Sequence, residues 1–270
     1  MLLFYFLSPM LRLNKNNPSL EQKMKERLKV VVPSFNSVSY LDKTLQSIEN
    51  QTIRDVDVCV IDDASTLPMQ RSLIEKYCTK NGWLPLFHQK NQGALVSIKN
   101  GIEALNCDRE DIIVIIDGDD WLADHLVFST LLEVYEFPSV YLTYGSFETY
   151  PKNCLNITYA APVSKETIDQ QLYRQTPWIY HHLKTFKYHL WKHLKDSDLR
   201  NLNGEYYMVT SDRAFFYPLL ELAGHHIRFI DRILYIYNLE NPLNDHKISR
   251  DEQLLEEHYI KSLPKYAALP

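Results

Sequence analysis

Apolar positions in the first half of the chain switch repeatedly between two periods. Leu28 to Val32 is a β-branched run closed by Pro33, which predicts a strand. Behind it Leu41, Leu45 and Ile48 recur at helical spacing, with Ser39 as a candidate cap. Val56 to Ile61 predicts a second strand running into Asp62 and Asp63. Met69, Leu73, Ile74 and Tyr77 then form a helical stripe that Asn81-Gly82 ends. A third strand is predicted at Leu84 to His88. After Asn91-Gln92-Gly93 a third helix carries Leu95, Ile98, Ile102 and Leu105. Ile112 to Ile116 is an unbroken apolar run, the mark of a strand buried on both faces.

Strands alternating with helices of this length predict an α/β fold, a mostly parallel Rossmann-like sheet with helices on both faces. Right-handed crossovers bring the ends of successive parallel strands to one edge. Pro33-Ser34, Asp62-Asp63, Gln89 to Gly93 and Asp117 to Asp120 are therefore expected to rim a single cleft, where open α/β sheets bind ligands. After Tyr144 the pattern is less regular. Phe186, Leu190 and Leu194 predict a helix, Ala214 to Ala223 another ended by Gly224, and Ile227 to Tyr237 one or two strands. Neither a repeat nor a Pro/Gly/Ser linker divides the chain.

Asp117-Gly118-Asp119-Asp120 packs three carboxylates into four residues where the fourth strand leaves the sheet. Such crowding is unfavourable unless a cation neutralises it, and hard oxygen ligands suit Mg²⁺ or Mn²⁺ shared with substrate phosphates. Taken alone, the stretch reads equally well as a solvated acidic turn. There is no GxGxxG after the first strand and no GxxxxGK[ST], so dinucleotide and P-loop readings lose their support. The net charge of −5 and pI near 6.1 argue against nucleic acid as a partner. Cys59, Cys78, Cys107 and Cys154 show no CxxC pairing and read as reduced thiols of a cytoplasmic protein. Met1 to Leu11 is apolar but shorter than the roughly 20 residues a span needs. A tail, a loose anchor at the inner membrane surface and a mis-assigned start codon all stay open for it. The sequon at Asn156 matters only in a secreted chain.

Several blocks together resemble one family. Val31-Val32-Pro33-Ser34-Phe35-Asn36 is similar to the opening signature of family 2 glycosyltransferases with the GT-A fold. Ile61-Asp62-Asp63-Ala64-Ser65 resembles their second-strand motif, with Ala64 replacing the usual glycine. Asn91-Gln92-Gly93 with Lys99-Asn100-Gly101 resembles the third block, and Asp117-Gly118-Asp119-Asp120 the metal-binding DxD element. The resemblance implies a tail or peripheral helix over 1–27 and one GT-A domain over 28–270. Residues 28–123 would form its nucleotide-sugar half and 124–270 its acceptor half. It implies that Pro33, Ser34, Phe35 and Asn36 hold the base of a nucleotide diphosphate sugar, most simply UDP-linked, with Asp63 accepting from the base. Asp63 lies on the cleft rim, so the fold is expected to tolerate its loss. Asn91, Gly93 and Gly118 join the donor site. Asp117 and Asp119 or Asp120 would contact the ribose and the metal, in an order that spacing leaves open. Asp62 is read as a turn carboxylate supporting the backbone.

In the second half, Asp212 stands where the family places a catalytic carboxylate, and is expected to take the proton of an acceptor hydroxyl in an inverting transfer. The plain reading is a helix N-cap, which Asp also favours. His246, in a segment similar to one branch of the family, is expected to complete the metal shell. The acceptor is not legible here. Two rival readings stand beside this one. A haloacid-dehalogenase-type phosphatase also carries a DxD, though on its first strand and with Thr or Val where Trp121 stands. The other is a nucleotide-sugar-binding protein without turnover.

Overall fold

The computed structural model describes residues 27–152, 160–243 and 250–270. Eight strands share one curled sheet in the order β3-β2-β1-β4-β7-β6-β8-β5. Its parallel core follows the predicted order: β1 (Leu28–Ser34), β2 (Asp57–Asp62), β3 (Leu84–Phe87) and β4 (Ile112–Ile115). β1 is buried at every position, as a Val-rich strand flanked on both sides must be.

Helices cover both faces. On one, α1 (Val38–Glu49), α2 (Pro68–Asn81) and α4 (Val127–Tyr135) bury Leu45, Ile74 and Phe128 against Val30, Val60 and Val114. On the other, α3 (Ala94–Ala104) and α7 (Ser211–Ala223) bury Ile98, Ile102, Phe215 and Leu219 against Val31, Ile61 and Ile113. Gly82, at φ 70, ends α2 in the left-handed conformation that only glycine adopts without cost. Gly101 faces the sheet from α3, where a Cβ would lie 2.6 Å from the Val31 side chain.

The cap of α1 differs from expectation. The helix begins at Val38 behind Ser37, whose side chain makes no cap bond, and Ser39 lies inside the first turn. Met69 is 74% exposed, so the α2 stripe is core only from its second member. The larger correction lies in the second half. Phe186 belongs not to a helix but to β7 (His181–Lys187), antiparallel to β4 with Phe186 opposite Ile113. Only one turn, α6 (Tyr188–Trp191), follows. Across a strand-to-turn junction the spacing of Phe186, Leu190 and Leu194 imitates a helix. The strand is fixed by a buried hydroxyl relay, Thr185 to Thr143 at 2.6 Å and to Tyr135 at 2.9 Å.

The pattern also gave no sign of α4, nor of β6 (Leu142–Tyr150), which runs antiparallel to β7. β5 (Trp121–Leu122) and β8 (Ile227–Asn238) complete the sheet, β8 being one long strand with a register shift. Among the described residues the remaining α-helices are α5 (Lys165–Asp169) and α8 (Arg250–Ser262), with a 3-10 turn at Asp196–Leu199. Cys59, Cys78 and Cys107 carry no disulfide, while Cys154 and Asn156 lie outside the described residues. So do Met1 to Leu11; among the described residues no helix is long and apolar enough to cross a membrane.

Candidate active site

The strand order runs outward from β1 to β3 and resumes on its other side at β4, and a cleft opens where the order turns. The loops leaving β1 and β4 meet closely there. The Gly118 amide donates to the Pro33 carbonyl at 2.9 Å, and a Cβ on Gly118 would lie 2.5 Å from that of Ser34. The cleft has a volume of about 660 Å³, ordinary for a small-molecule site. Pro33, Ser34, Phe35, Asp63, Asn91 and Gly93 line it from the first half. Asp117, Gly118, Asp119, Asp120 and Asp212 line it too. Asn36 does not. Its side chain turns away, accepting from the Thr66 amide at 2.9 Å and so bracing the loop after β2. His246 lies outside the described residues.

The acidic loop is held from β8 and the segment beyond it. Asp117 donates its amide to the Tyr235 hydroxyl at 3.1 Å, which donates back to Asp117 Oδ2 at 3.4 Å. Asn238 donates its amide to Asp120 Oδ1 at 2.8 Å, and Asn241 Nδ2 donates to Asp119 Oδ2 at 2.7 Å. Asp120 is wholly buried, whereas Asp117 and Asp119 keep partial access to the cleft. Burial pushes the Asp119 carboxyl up. Burial, with the charges of Asp119 and Asp117, pushes Asp120 well above the usual carboxylate range.

These features fit a divalent cation. Asp120 Oδ2 is buried without a hydrogen-bond partner among the described residues, and three like charges crowd one turn. Among the described residues no three acidic, His or Cys side chains form a ready cage. That suits an ion that takes one or two carboxylates here and its other oxygens from a substrate.

Asp63 is deeply engaged by its own chain. Its Oδ2 accepts from the Gly93 amide at 2.7 Å, and Oδ1 from the Gln92 amide at 3.0 Å and His88 Nδ1 at 2.7 Å. Asn100 Nδ2 lies 3.0 Å from His88 Nε2. The amide donates there, which leaves the ring proton on Nδ1, facing Asp63. The third sequence block thus acts as one unit, Asn100 orienting His88 and Asp63 shaping the loop that ends at Gly93. Gly93 opens α3 at φ 87. Asp62 has the supporting role expected of it: its Oδ1 accepts from the Ser65 amide and Gln70 Nε2, both at 3.2 Å. Ala64, in the usual glycine position, sits at φ 60.

The opposite wall comes from β7, α7 and α8. α7 starts behind Thr210, so Asp212 is in its first turn rather than at the N-cap. Its Oδ1 accepts from the Arg213 amide at 2.8 Å, while Oδ2 lies 3.4 Å from Lys184 Nζ. The carboxylate is 43% exposed and faces the cleft. Lys184 is buried on β7. Beside it, burial and the nearby lysine charge lower His181 to about 4 and push His182 well down, so both rings stay neutral. Gln253, Leu254 and Glu257 of α8 close the wall, with Glu257 paired to Arg213. α8 is itself latched by a buried pair: Arg174 grips Glu221 at 2.6 and 2.9 Å and donates to the Ile260 carbonyl at 2.6 Å.

The motifs assign no role to Tyr235, Asn241, Lys184 or His88, although Lys184 and Asn241 lie in the segments 182–187 and 241–247 that resemble one branch of the family. Tyr235 lies more than a hundred residues from its acidic partner, beyond any local signal, and the segment that Asn241 opens gives no hint of its bond to Asp119. His88 carried a usable one, in that it stands three residues before the Asn91-Gln92-Gly93 block.

The fold is that of GT-A glycosyltransferases. The family model described as Glycosyl transferase family 2 matches residues 29–194, and the chain belongs to that family. The chain is 33% identical over 110 residues to the cholesterol galactosyltransferase of Borreliella burgdorferi, covering 41% of this chain and 28% of that protein. It is 24% identical over 247 residues to the uncharacterized glycosyltransferase EpsJ of Bacillus subtilis, covering 86% of this chain and 67% of the relative. Staphylococcus aureus TarS 1–349 in complex with UDP-GlcNAc superposes with a TM-score of 0.64 at 18% identity, covering 87% of this chain and 65% of that 1–349 chain. The mannosyltransferase PcManGT of Pyrobaculum calidifontis, in complex with GDP-Man and Mn²⁺, gives 0.61 at 15% identity, covering 90% and 67%.

Proposed function

We propose that this chain moves a sugar from a nucleoside diphosphate donor, UDP-linked in the first instance, to an acceptor hydroxyl with inversion. One observation carries the reading: the acidic loop Asp117–Asp120 and the accessible carboxylate of Asp212 belong to the same cleft at the turn in strand order. The donor-bound states of TarS and PcManGT support a nucleotide sugar as ligand. A DxD after the fourth strand, with Pro33-Ser34 and no acid ending the first, gives no support to the phosphatase reading.

In this assignment Pro33, Ser34 and Phe35 form the base end of the cleft. Asp63 acts chiefly by fixing the Gln92-Gly93 turn beside them, and Asn91 and Gly93 border the sugar. Asp117 takes the ribose. Asp119, with Asp120 behind it, would hold Mn²⁺ or Mg²⁺, and His246 is proposed to complete that shell. Bound there, the ion would act as a Lewis acid on the leaving diphosphate. Asp212 draws the proton from the acceptor hydroxyl as the sugar carbon is attacked. A role in surface glycan assembly, at the cytoplasmic face of a membrane, fits this chemistry.

Titration calorimetry with UDP and GDP, each with Mn²⁺ and with chelator, tests the reading. At least one nucleotide should bind roughly ten-fold or more tightly with the ion, through a charge-assisted contact of the usual size. Equal affinities with and without chelator would discard the metal assignment. Release of free sugar from the donor then distinguishes an enzyme from a binding protein.

A further inference from the structure

We infer that Lys184 is a second, protein-borne cation for the donor, contacting phosphate oxygens of the leaving diphosphate from the β7 side; this rests on the nucleotide-sugar reading above. The register Val114 opposite Thr185 sets Lys184 beside Ile115, two residues before Asp117. Phe186, two residues along β7, packs in the same core cluster as Ile113 and Ile115, so Lys184 projects from that sheet face. Ile115 and Lys184 both line the cleft. The ammonium therefore stands at the end of the sheet from which the acidic loop departs.

Its surroundings leave it short of anionic partners. The Lys184 side chain is 5% exposed and carries three donors. Among the described residues its one carboxylate partner is Asp212 at 3.4 Å, a long contact to a group that is itself half in water. The ring faces of Trp178 and Phe216, 5.8 and 5.9 Å away, flank the ammonium without supplying an acceptor. Desolvating an ammonium is compensated only by close, hydrogen-bonded negative charge. One long contact does not supply that, and a diphosphate does. Arg213, the other cation lining the cleft, is already paired with Glu257.

The test compares wild type, Lys184→Met and Lys184→Arg in the full chain. UDP is titrated with Mn²⁺ by calorimetry, and uridine is followed by ligand-observed NMR. Lys184→Met should weaken UDP ten-fold or more while leaving uridine unchanged, and Lys184→Arg should stay within about three-fold of wild type. Lys184→Gln, closer in polarity, replaces the methionine variant if that one fails to fold. Unchanged UDP affinity with a fall in kcat alone would make Lys184 a positioning residue for Asp212 and overturn the inference. Unchanged UDP affinity with a raised acceptor KM would assign it to an anionic acceptor and overturn it equally. A wild-type chain that binds no nucleoside diphosphate overturns the donor reading, and this with it.

Discussion

Replacing Asp63 by alanine strips the acceptor from three donors at once: the Gln92 amide, the Gly93 amide and the His88 ring. The carboxylate is 3% exposed, so water does not simply take its place. Hydrogen bonds to a charged group are worth about 1.5–3 kcal/mol each, and an orphaned buried donor carries its full desolvation cost. Three of them would sum to roughly 4–9 kcal/mol if independent, but one loop carries all three and can relax outward, which reduces the loss to about 3–5 kcal/mol. Against a total stability of about 5–15 kcal/mol that is a large fraction. In a chain of this size it lowers the midpoint by about 6–20 °C. Asp63→Asn should do little better, because its amide nitrogen would face donors. This replaces the expectation that a rim position tolerates the change. Urea and thermal melts of both variants, with UDP–Mn²⁺ calorimetry alongside, give the readout. A variant melting within about 2 °C of wild type, yet deficient in nucleotide binding, would refute the reasoning and make the carboxylate a ligand group.

Two further outcomes are expected. Asp212→Asn keeps the shape of the side chain and an acceptor for the Arg213 amide, so UDP–Mn²⁺ affinity should hold while turnover falls about 10²-fold or more; single-turnover kinetics would show it, and transfer at the parental rate would move the base elsewhere. Ala64→Gly relieves a left-handed backbone at φ 60 and should raise stability by about 1 kcal/mol, net of the extra freedom glycine has when unfolded; a lowered melting midpoint would contradict it.

The first half of the fold was legible because its strands are buried on both faces and therefore uniformly apolar. Val30 to Val32 and Ile112 to Ile115 admit no other reading. The loops between them were legible because a tight approach demands particular residues, as at Gly118 against Ser34. The second half obeys neither rule. β7 buries Lys184, Thr185 and Lys187 on a strand, so polar residues occupy positions that a pattern search assigns to solvent. Asp63 shows the subtler gap. Its presence at the cleft could be anticipated, but its three internal partners exist only once the chain has folded back from His88 to Gly93.

The Arg174–Glu221 latch has a consequence for how this protein is handled and how it can change. Glu221 Oε2 also accepts from the Tyr266 amide at 3.0 Å, and the Leu269 amide donates to the Leu222 carbonyl at 2.8 Å. The last stretch of chain is thus keyed into α7 through a charge pair wholly out of water. Breaking such a pair from one side costs about 3–5 kcal/mol. Expression boundaries drawn near residue 194, where the family match stops, would remove α7 and α8 together with Asp212. A cut just before α8 would leave Arg174 and Glu221 paired but remove the Ile260 carbonyl and the Tyr266 amide that complete their hydrogen bonding. The same wiring means that this cleft wall, if exchanged with a relative's, will graft only as a block, its final helix travelling with the one that carries Asp212.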